Sequence, residues 1–426
     1  MSQTSSKNAV NVKKSGGFHY AYMIVVACCA ISLAPVAFTF SCAGIFFKPV
    51  TQELGIGIGT FALYLSSLLL AATLTLTVAG KIINKYSARL VLSASVLITA
   101  GAFAAMSTFT SVYQFYVAGA FLGVSTAFLL YLMIPTMINR WFKTRVGFFM
   151  GLCSAFTGVG GILFNPLGGY IIANYGWRNA YLAFAVLTIV IALPFALFVI
   201  KSYPADKGLR PFGDTGEDEQ KGAAPQVTGV SYSKAVKSGA FYTGLVFSFG
   251  MAFITNINFY LPAYAGSLGM SITLGATVAS ASMFGTMAGK ILLGWVNDRS
   301  VVGGMLFGLG CGIVGLGLMA FFAKVGVWVV LIAAALYGIS YAGVSVQTPL
   351  TIKTIFGNRE YAPIYSNIAM AASLSSMIGS AAWGFIIDST KSYPMTFGIG
   401  IAIAALTIVA GYVAMQLGKK LDFTTK

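Results

Sequence analysis

Gly294-Trp295-Val296-Asn297-Asp298-Arg299 ends one long apolar run, and Gly80-Lys81-Ile82-Ile83-Asn84-Lys85 ends another, six runs earlier in the chain. Both read Gly-x-x-x-(Asn/Asp)-(Lys/Arg). One copy is a weak signal, but two at matching places are what the duplication of a six-helix unit leaves behind. Each puts a compact charged turn between two helices, with a glycine that permits close backbone approach. Gly80, Asn84, Lys85, Arg89, Gly294, Asp298 and Arg299 are therefore the candidate gating residues.

Around these two stretches, 58% of the 426 residues are hydrophobic and only 8% charged. Mean hydropathy is +0.84, far from a soluble domain with about 25% charge. A membrane span needs roughly 20 apolar residues, and twelve such runs can be read: 20–46, 58–80, 89–109, 112–138, 147–172, 179–200, 240–264, 271–295, 302–323, 326–348, 362–388 and 394–417. The expected fold is an all-α polytopic membrane protein of twelve transmembrane helices in two six-helix bundles, related by a pseudo-two-fold axis. Its parts are a tail at 1–19, an N-terminal bundle at 20–200, a linker at 201–238, a C-terminal bundle at 239–417 and a tail at 418–426.

The net charge of +16 lies in alternate loops, so it implies topology rather than nucleic-acid binding. One side carries only Lys48, Arg178, Lys324 and Lys391. Nearly all other cations fall on the opposite side with both tails, which the positive-inside rule makes cytoplasmic. A multi-pass protein of the cytoplasmic membrane is expected, with no cleavable signal peptide, because the polar start runs directly into a full-length span. The linker is rich in Gly, Pro and charge (Asp214, Glu217, Asp218, Glu219, Lys221, Pro225) and reads as a solvated tether.

Five cysteines lie in apolar runs without a CxxC, and His19 is the only histidine. No disulfide framework, metal site or cofactor is indicated. An intramembrane enzyme would need a nucleophile-base or metal constellation, and none of the ten Asp and Glu residues lies in the middle of a span. A membrane sensor or scaffold is the other alternative, and it would call for a large soluble output domain that the sequence lacks.

What the spans do hold is Lys290. A charge at membrane depth costs about 2.5 kcal/mol or more and marks a functional site by default. A buried ammonium either sheds its proton or finds an anion. With no buried acid to pair it, the expected partner is the substrate: a small organic anion, a mono- or small dicarboxylate. A cavity that is neutral only when loaded favours anion exchange. Proton-coupled symport of a monocarboxylate is the alternative, and it requires Lys290 itself to titrate. The competing structural role is snorkelling, since Asp298 is only about 12 Å further along a helix.

The doubled loop, together with Tyr175-Gly176-Trp177-Arg178 and the stretch from Pro204 to Gly213, resembles the major facilitator superfamily. Asn139-Arg140-Trp141-Phe142, Arg145-x-Gly147, Phe356-Gly357 with Tyr365, and Asp388-x-Thr390-x-Ser392-Tyr393 are similar to its oxalate:formate antiporter and monocarboxylate transporter group. That resemblance implies a secondary transporter working by alternating access. It puts Lys290 where the group has a carboxylate-binding arginine, and Tyr131, Tyr337 and Tyr341 where the antiporter has cavity aromatics. Departures are Ser41 and Thr157 in place of aromatics, Asn84 in place of an acid, and Thr286 where an acid would precede Lys290 by one turn. Asn256, Asn258 and Gln347 complete the substrate-binding candidates, with interhelical hydrogen bonding as their structural alternative. The expected partners are the anion, a proton or counter-transported anion, and the bilayer; a monomer is expected.

Overall fold

The structure, a computed structural model, describes residues 19–213, 228–421 and 424–425. Its described residues are helical apart from connecting turns and the two-residue strands Thr228–Gly229 and Thr424–Thr425, which pair antiparallel. Eleven continuous helical stretches among them are long and apolar enough to cross a membrane, and one of these, Val146–Val199, is two helices end to end. The first half has α1 Ala21–Leu54, α2 Ile58–Ile83 with its last turn reaching Lys85, α3 Ala88–Met106, α4 Val112–Trp141, α5 (146–175) and α6 (177–199). The second half has α7 Gly239–Ser267, α8 Ile272–Arg299, α9 Val301–Phe321, α10 Val327–Phe356, α11 Tyr361–Thr390 and α12 Tyr393–Gly418. Helix is the form such segments must take, because hydrocarbon offers no partner to a free N–H or C=O.

Departures from regular helix mark the working segments. α1 holds a π-helical turn at Ser32–Val36, where Pro35 supplies no N–H, and a 3₁₀ turn at Ala43–Phe46. α4 has a π turn at Ala127–Leu132, and α7 a 3₁₀ turn at Asn256–Tyr260. Helices α5 and α6 part at Gly176, whose φ of 85° favours glycine. Just beyond, Trp177 Nε1 donates to Glu53 Oε2 at 2.5 Å, and Arg178 pairs with Glu53 and donates to Phe109 O at 3.0 Å. The Tyr175-Gly176-Trp177-Arg178 stretch is thus a turn and a staple, fastening the start of α6 to the ends of α1 and α3.

Several expected boundaries move. The first span runs on to Leu54, and the repeated stretches are not loops: Gly80, Asn84 and Lys85 belong to the last turns of α2, Gly294, Asp298 and Arg299 to those of α8, and Arg89 to the first turn of α3. A helix that continues past the apolar run keeps its backbone bonds closed, so the connecting turns shrink to Tyr86-Ser87 and Ser300. The linker is also less free than a tether. Phe212 N donates to Trp141 O at 2.8 Å and Lys143 N to Phe212 O at 2.9 Å; further on, Val230 N donates to Phe356 O at 2.9 Å. Its start lies on the first half and its end on the second. The acidic cluster from Asp214 to Glu219, with Lys221 and Pro225, lies outside the described residues.

The two halves meet through α1 with α7, α2 with α11 and α5 with α8. Exchanging the halves maps the α2–α11 contact onto α8–α5. These contacts are tight at the end away from the termini. Ser66 Oγ donates to Met377 O at 2.6 Å, and Lys48 Nζ to Gly266 O at 2.8 Å. Asp388 at the foot of α11 accepts from Ile58 N at 3.1 Å and Gly59 N at 2.8 Å, capping α2 across the interface. At Gly44 a Cβ would strike the Phe259 carbonyl, and at Gly169 the Ala276 side chain. At the end bearing the Lys/Arg-rich turns, a Cβ at Gly80, Gly147, Gly151 or Gly294 would meet nothing within 4 Å. The close approach expected of Gly80 and Gly294 is absent in this arrangement, and the side-chain hydrogen bonds between the halves among the described residues lie toward the other end.

Candidate functional site

Between the halves lies a cavity of about 530 Å³, blind at the tight end, with walls from both bundles. Its lining mixes apolar side chains (Val36, Phe40, Leu65, Leu69, Leu130, Phe259, Met283) with about as many that carry a polar group, and its volume is that of a small-molecule site. One cation enters it. Lys290 lines the cavity from α8 with Thr286 one turn deeper and Met283 deeper still. Lys290 is half-buried, and no acidic side chain among the described residues lies within ion-pair distance of it.

Tyr131 and Tyr341 line the same space from opposite halves, and Asn256 lines it from α7. The π turn in α4 adds a residue to one helical turn and so shifts which side chains face inward; Tyr131, within it, is 41% exposed although it stands in mid-helix. Asn256 Nδ2 donates to Ala252 O at 2.8 Å, and its Oδ1 has no partner among the described residues.

Three expected site residues are turned elsewhere. Tyr337 is fully buried and donates to Ile254 O at 2.7 Å, packing α10 on α7. Asn258 Oδ1 accepts from Ser282 Oγ at 2.6 Å, joining α7 to α8. Gln347 is 1% exposed; it accepts from Asn297 Nδ2 at 2.9 Å and donates to Val301 O at 2.8 Å. In each case the side chain makes an interhelical hydrogen bond. Gly379 of α11 packs on Phe253 and Asn256 of its own half. His19 lies at the start of α1, its Nδ1 accepting from Ala21 N at 3.2 Å and its ring 5.4 Å from that of Phe212.

The structure also brings in residues that the sequence pattern did not single out for this role. Tyr365, Ser373 and Ser376 of α11 and Thr255 of α7 line the cavity. Tyr365 was visible only as part of a motif, and the serines carry no signal beyond polarity within a span. Asn165 of α5 is fully buried beside the closed end and donates to Ser41 O and Gly161 O. No groups of three or more His, Cys, Asp or Glu among the described residues are placed to hold a metal.

Comparison with known proteins agrees with this geometry. The family described as Major Facilitator Superfamily matches residues 29–306 and 257–421. Among curated proteins, the chain is 25% identical over 417 residues to monocarboxylate transporter 4 of Gallus gallus, covering 93% of this chain and 83% of that one. Among solved structures, a bacterial homologue of the human lysosomal transporter Spinster, in an inward-facing and unoccupied conformation, superposes with a TM-score of 0.72 at 14% identity, covering 95% of this chain and 99% of that one. The nucleoside transporter NupG, as its D323A mutant, gives 0.70 at 12% identity, with coverage of 93% and 100%. The likeness to these two structures concerns the fold alone.

Proposed function

Because the chain belongs to the Major Facilitator Superfamily, a family of multi-pass membrane transporters and not of enzymes, we propose that it is a secondary transporter of small organic anions, with Lys290 as the group that holds a substrate carboxylate. The observation that carries the proposal is the unpaired ammonium in the wall of the blind cavity between the halves. Similarity to a monocarboxylate transporter over most of the chain supports the same class of substrate. Tyr131 and Tyr341 supply hydroxyl donors beside the carboxylate, and the apolar walls receive the body of the anion.

The sidedness follows from charge. The parted end carries the Lys/Arg-rich turns and is cytoplasmic by the positive-inside rule, so this conformation faces inward. Asp388, Lys48 and Ser66 hold the outer end shut. Reorientation requires the helix ends carrying Gly80, Asn84, Lys85, Arg89, Gly294, Asp298 and Arg299 to come together while the outer contacts break. An empty cavity keeps an uncompensated charge that opposes closure, and a bound carboxylate removes it. Exchange of one anion for another is therefore the favoured mode.

The test is Lys290→Gln in proteoliposomes. Transport is expected to fall at least tenfold with expression and thermal stability retained, and Lys290→Arg to keep part of the activity. Unchanged transport would assign Lys290 to snorkelling. Uptake driven by a pH gradient, without internal anion, would replace exchange by proton symport.

A further inference from the structure

We infer that the cavity selects an elongated monoanion whose far end is neutral and carries a hydrogen-bond donor, such as a hydroxyl, in preference to an unsubstituted acid or a dicarboxylate. The inference rests on the assignment of Lys290 to the carboxylate and concerns what the opposite end of the cavity recognises.

The cavity has length and polarity. Met283, Thr286 and Lys290 all line it, so it runs at least seven residues along α8, about 10 Å at 1.5 Å per residue. The Met283 level is the closed end: a Cβ at Gly161 would meet the side chains of Met283 and Ser41 there. Thr255 precedes and Asn256 begins the 3₁₀ turn that carries Phe259 against Gly44 at the same end. Lys290 is level with Ile339 and Ala342 of α10, which pack on Gly289, and so with Tyr341.

The hydrogen atoms decide what each end can accept. Ser41 Oγ donates to Thr157 O at 3.1 Å, Thr157 Oγ1 to Ser154 O at 2.8 Å, Thr255 Oγ1 to Ala252 O at 2.7 Å and Thr286 Oγ1 to Ser282 O at 2.9 Å. A carbonyl can only accept, so each of these hydroxyls has spent its proton and shows the cavity lone pairs. Asn256 adds a free amide oxygen, together with its second N–H. Free donors gather at the other end: the Lys290 ammonium and the hydroxyls of Tyr131 and Tyr341, which have no hydrogen-bond partner among the described residues. The lining hydroxyls outside this pattern are Ser376, which has no hydrogen-bond partner among the described residues, and Ser345 and Ser373, which donate to Ala342 O at 3.0 Å and Ala369 O at 3.1 Å. A second carboxylate at the closed end would face these oxygens with only the Asn256 N–H and the Ser376 hydroxyl to meet it, and a methyl would leave the oxygens unpaired. A hydroxyl satisfies them.

The probes are hexanoate, 6-hydroxyhexanoate and hexanedioate, titrated calorimetrically into the purified full chain and into Lys290→Gln. 6-Hydroxyhexanoate is expected to bind about five- to tenfold more tightly than hexanoate, the yield of one or two net hydrogen bonds, with hexanedioate weakest. Thr255→Val, which keeps shape and removes one acceptor, is expected to narrow the ratio between the first two. Equal affinities for hexanoate and 6-hydroxyhexanoate, both abolished in Lys290→Gln, would overturn this inference and leave the carboxylate site standing; so would hexanedioate binding tightest. Affinities indifferent to Lys290→Gln, or no binding of any probe, would overturn both.

Discussion

Among single residues, Tyr337 and Tyr341 show where sequence reasoning stops. Spaced i and i+4, they share a helix face in projection, yet four residues rotate by about 40° beyond a full turn. That is enough to send Tyr341 into the cavity and Tyr337 into α7, where its hydroxyl meets Ile254 O. Tyr337→Phe is expected to lower stability by about 0.6 kcal/mol, the usual worth of a hydrogen bond between membrane helices, and to leave substrate affinity unchanged. Tyr341→Phe is expected to weaken affinity about fivefold, one lost donor, at constant melting temperature; paired thermal-shift and binding titrations distinguish the two. Lys290 was legible because a charge in a span is conspicuous by cost alone. Asn258 and Gln347 were not, since an amide in a span is equally suited to a ligand or to a neighbouring helix, and only the positions of Ser282 and Asn297 decide between them.

For the helices as elements, the apolar runs and the doubled Gly-x-x-x-(Asn/Asp)-(Lys/Arg) pattern made the spans and their repetition readable, because hydrocarbon leaves a backbone no other form. The contacts that close the outer end were not readable, since they join residues hundreds of positions apart in the chain. Asp388 stood out only as part of a motif, and its physical role emerges from the geometry. Its two oxygens accept from Ile58 N and Gly59 N, the first free N–H groups of α2, while its charge faces the positive end of that helix. In Asp388→Asn only one oxygen remains and the charge is gone. A loss of about 1–2 kcal/mol from the outward closure is expected, shifting the population of the outward-open state by about five- to thirtyfold. Spin labels at Ile56 and Lys391, on opposite halves of that end, are expected to show a longer distance component growing in the variant. An unchanged distance distribution would assign Asp388 to local capping without a share in the gate.

Across the whole molecule, the same helices carry glycines at both ends and use them at only one. In α5, Gly161 and Gly169 lie against Met283 and Ala276 of the opposite half, whereas Gly147 and Gly151 have nothing against them; in α2, Gly59 is pressed on Phe385, whereas Gly80 is free. A residue without a side chain is wasted where the halves are parted and needed where they touch, so the free glycines point to a second arrangement in which the cytoplasmic ends close. The energetic consequence is specific. A branched side chain at Gly151 meets open space in the inward-facing state and a helix in the outward-facing one, so Gly151→Val is expected to leave melting temperature within a few degrees and to preserve anion binding from the cytoplasmic side. Exchange across proteoliposomes is expected to fall more than tenfold, because one half of the cycle is blocked. At Gly161, already in contact, the same substitution is expected to lower stability of the inward-facing form instead. Full exchange by Gly151→Val would mean that the cytoplasmic closure does not bring α5 against the other half at that level, and would place the inner gate on α2 and α8 alone.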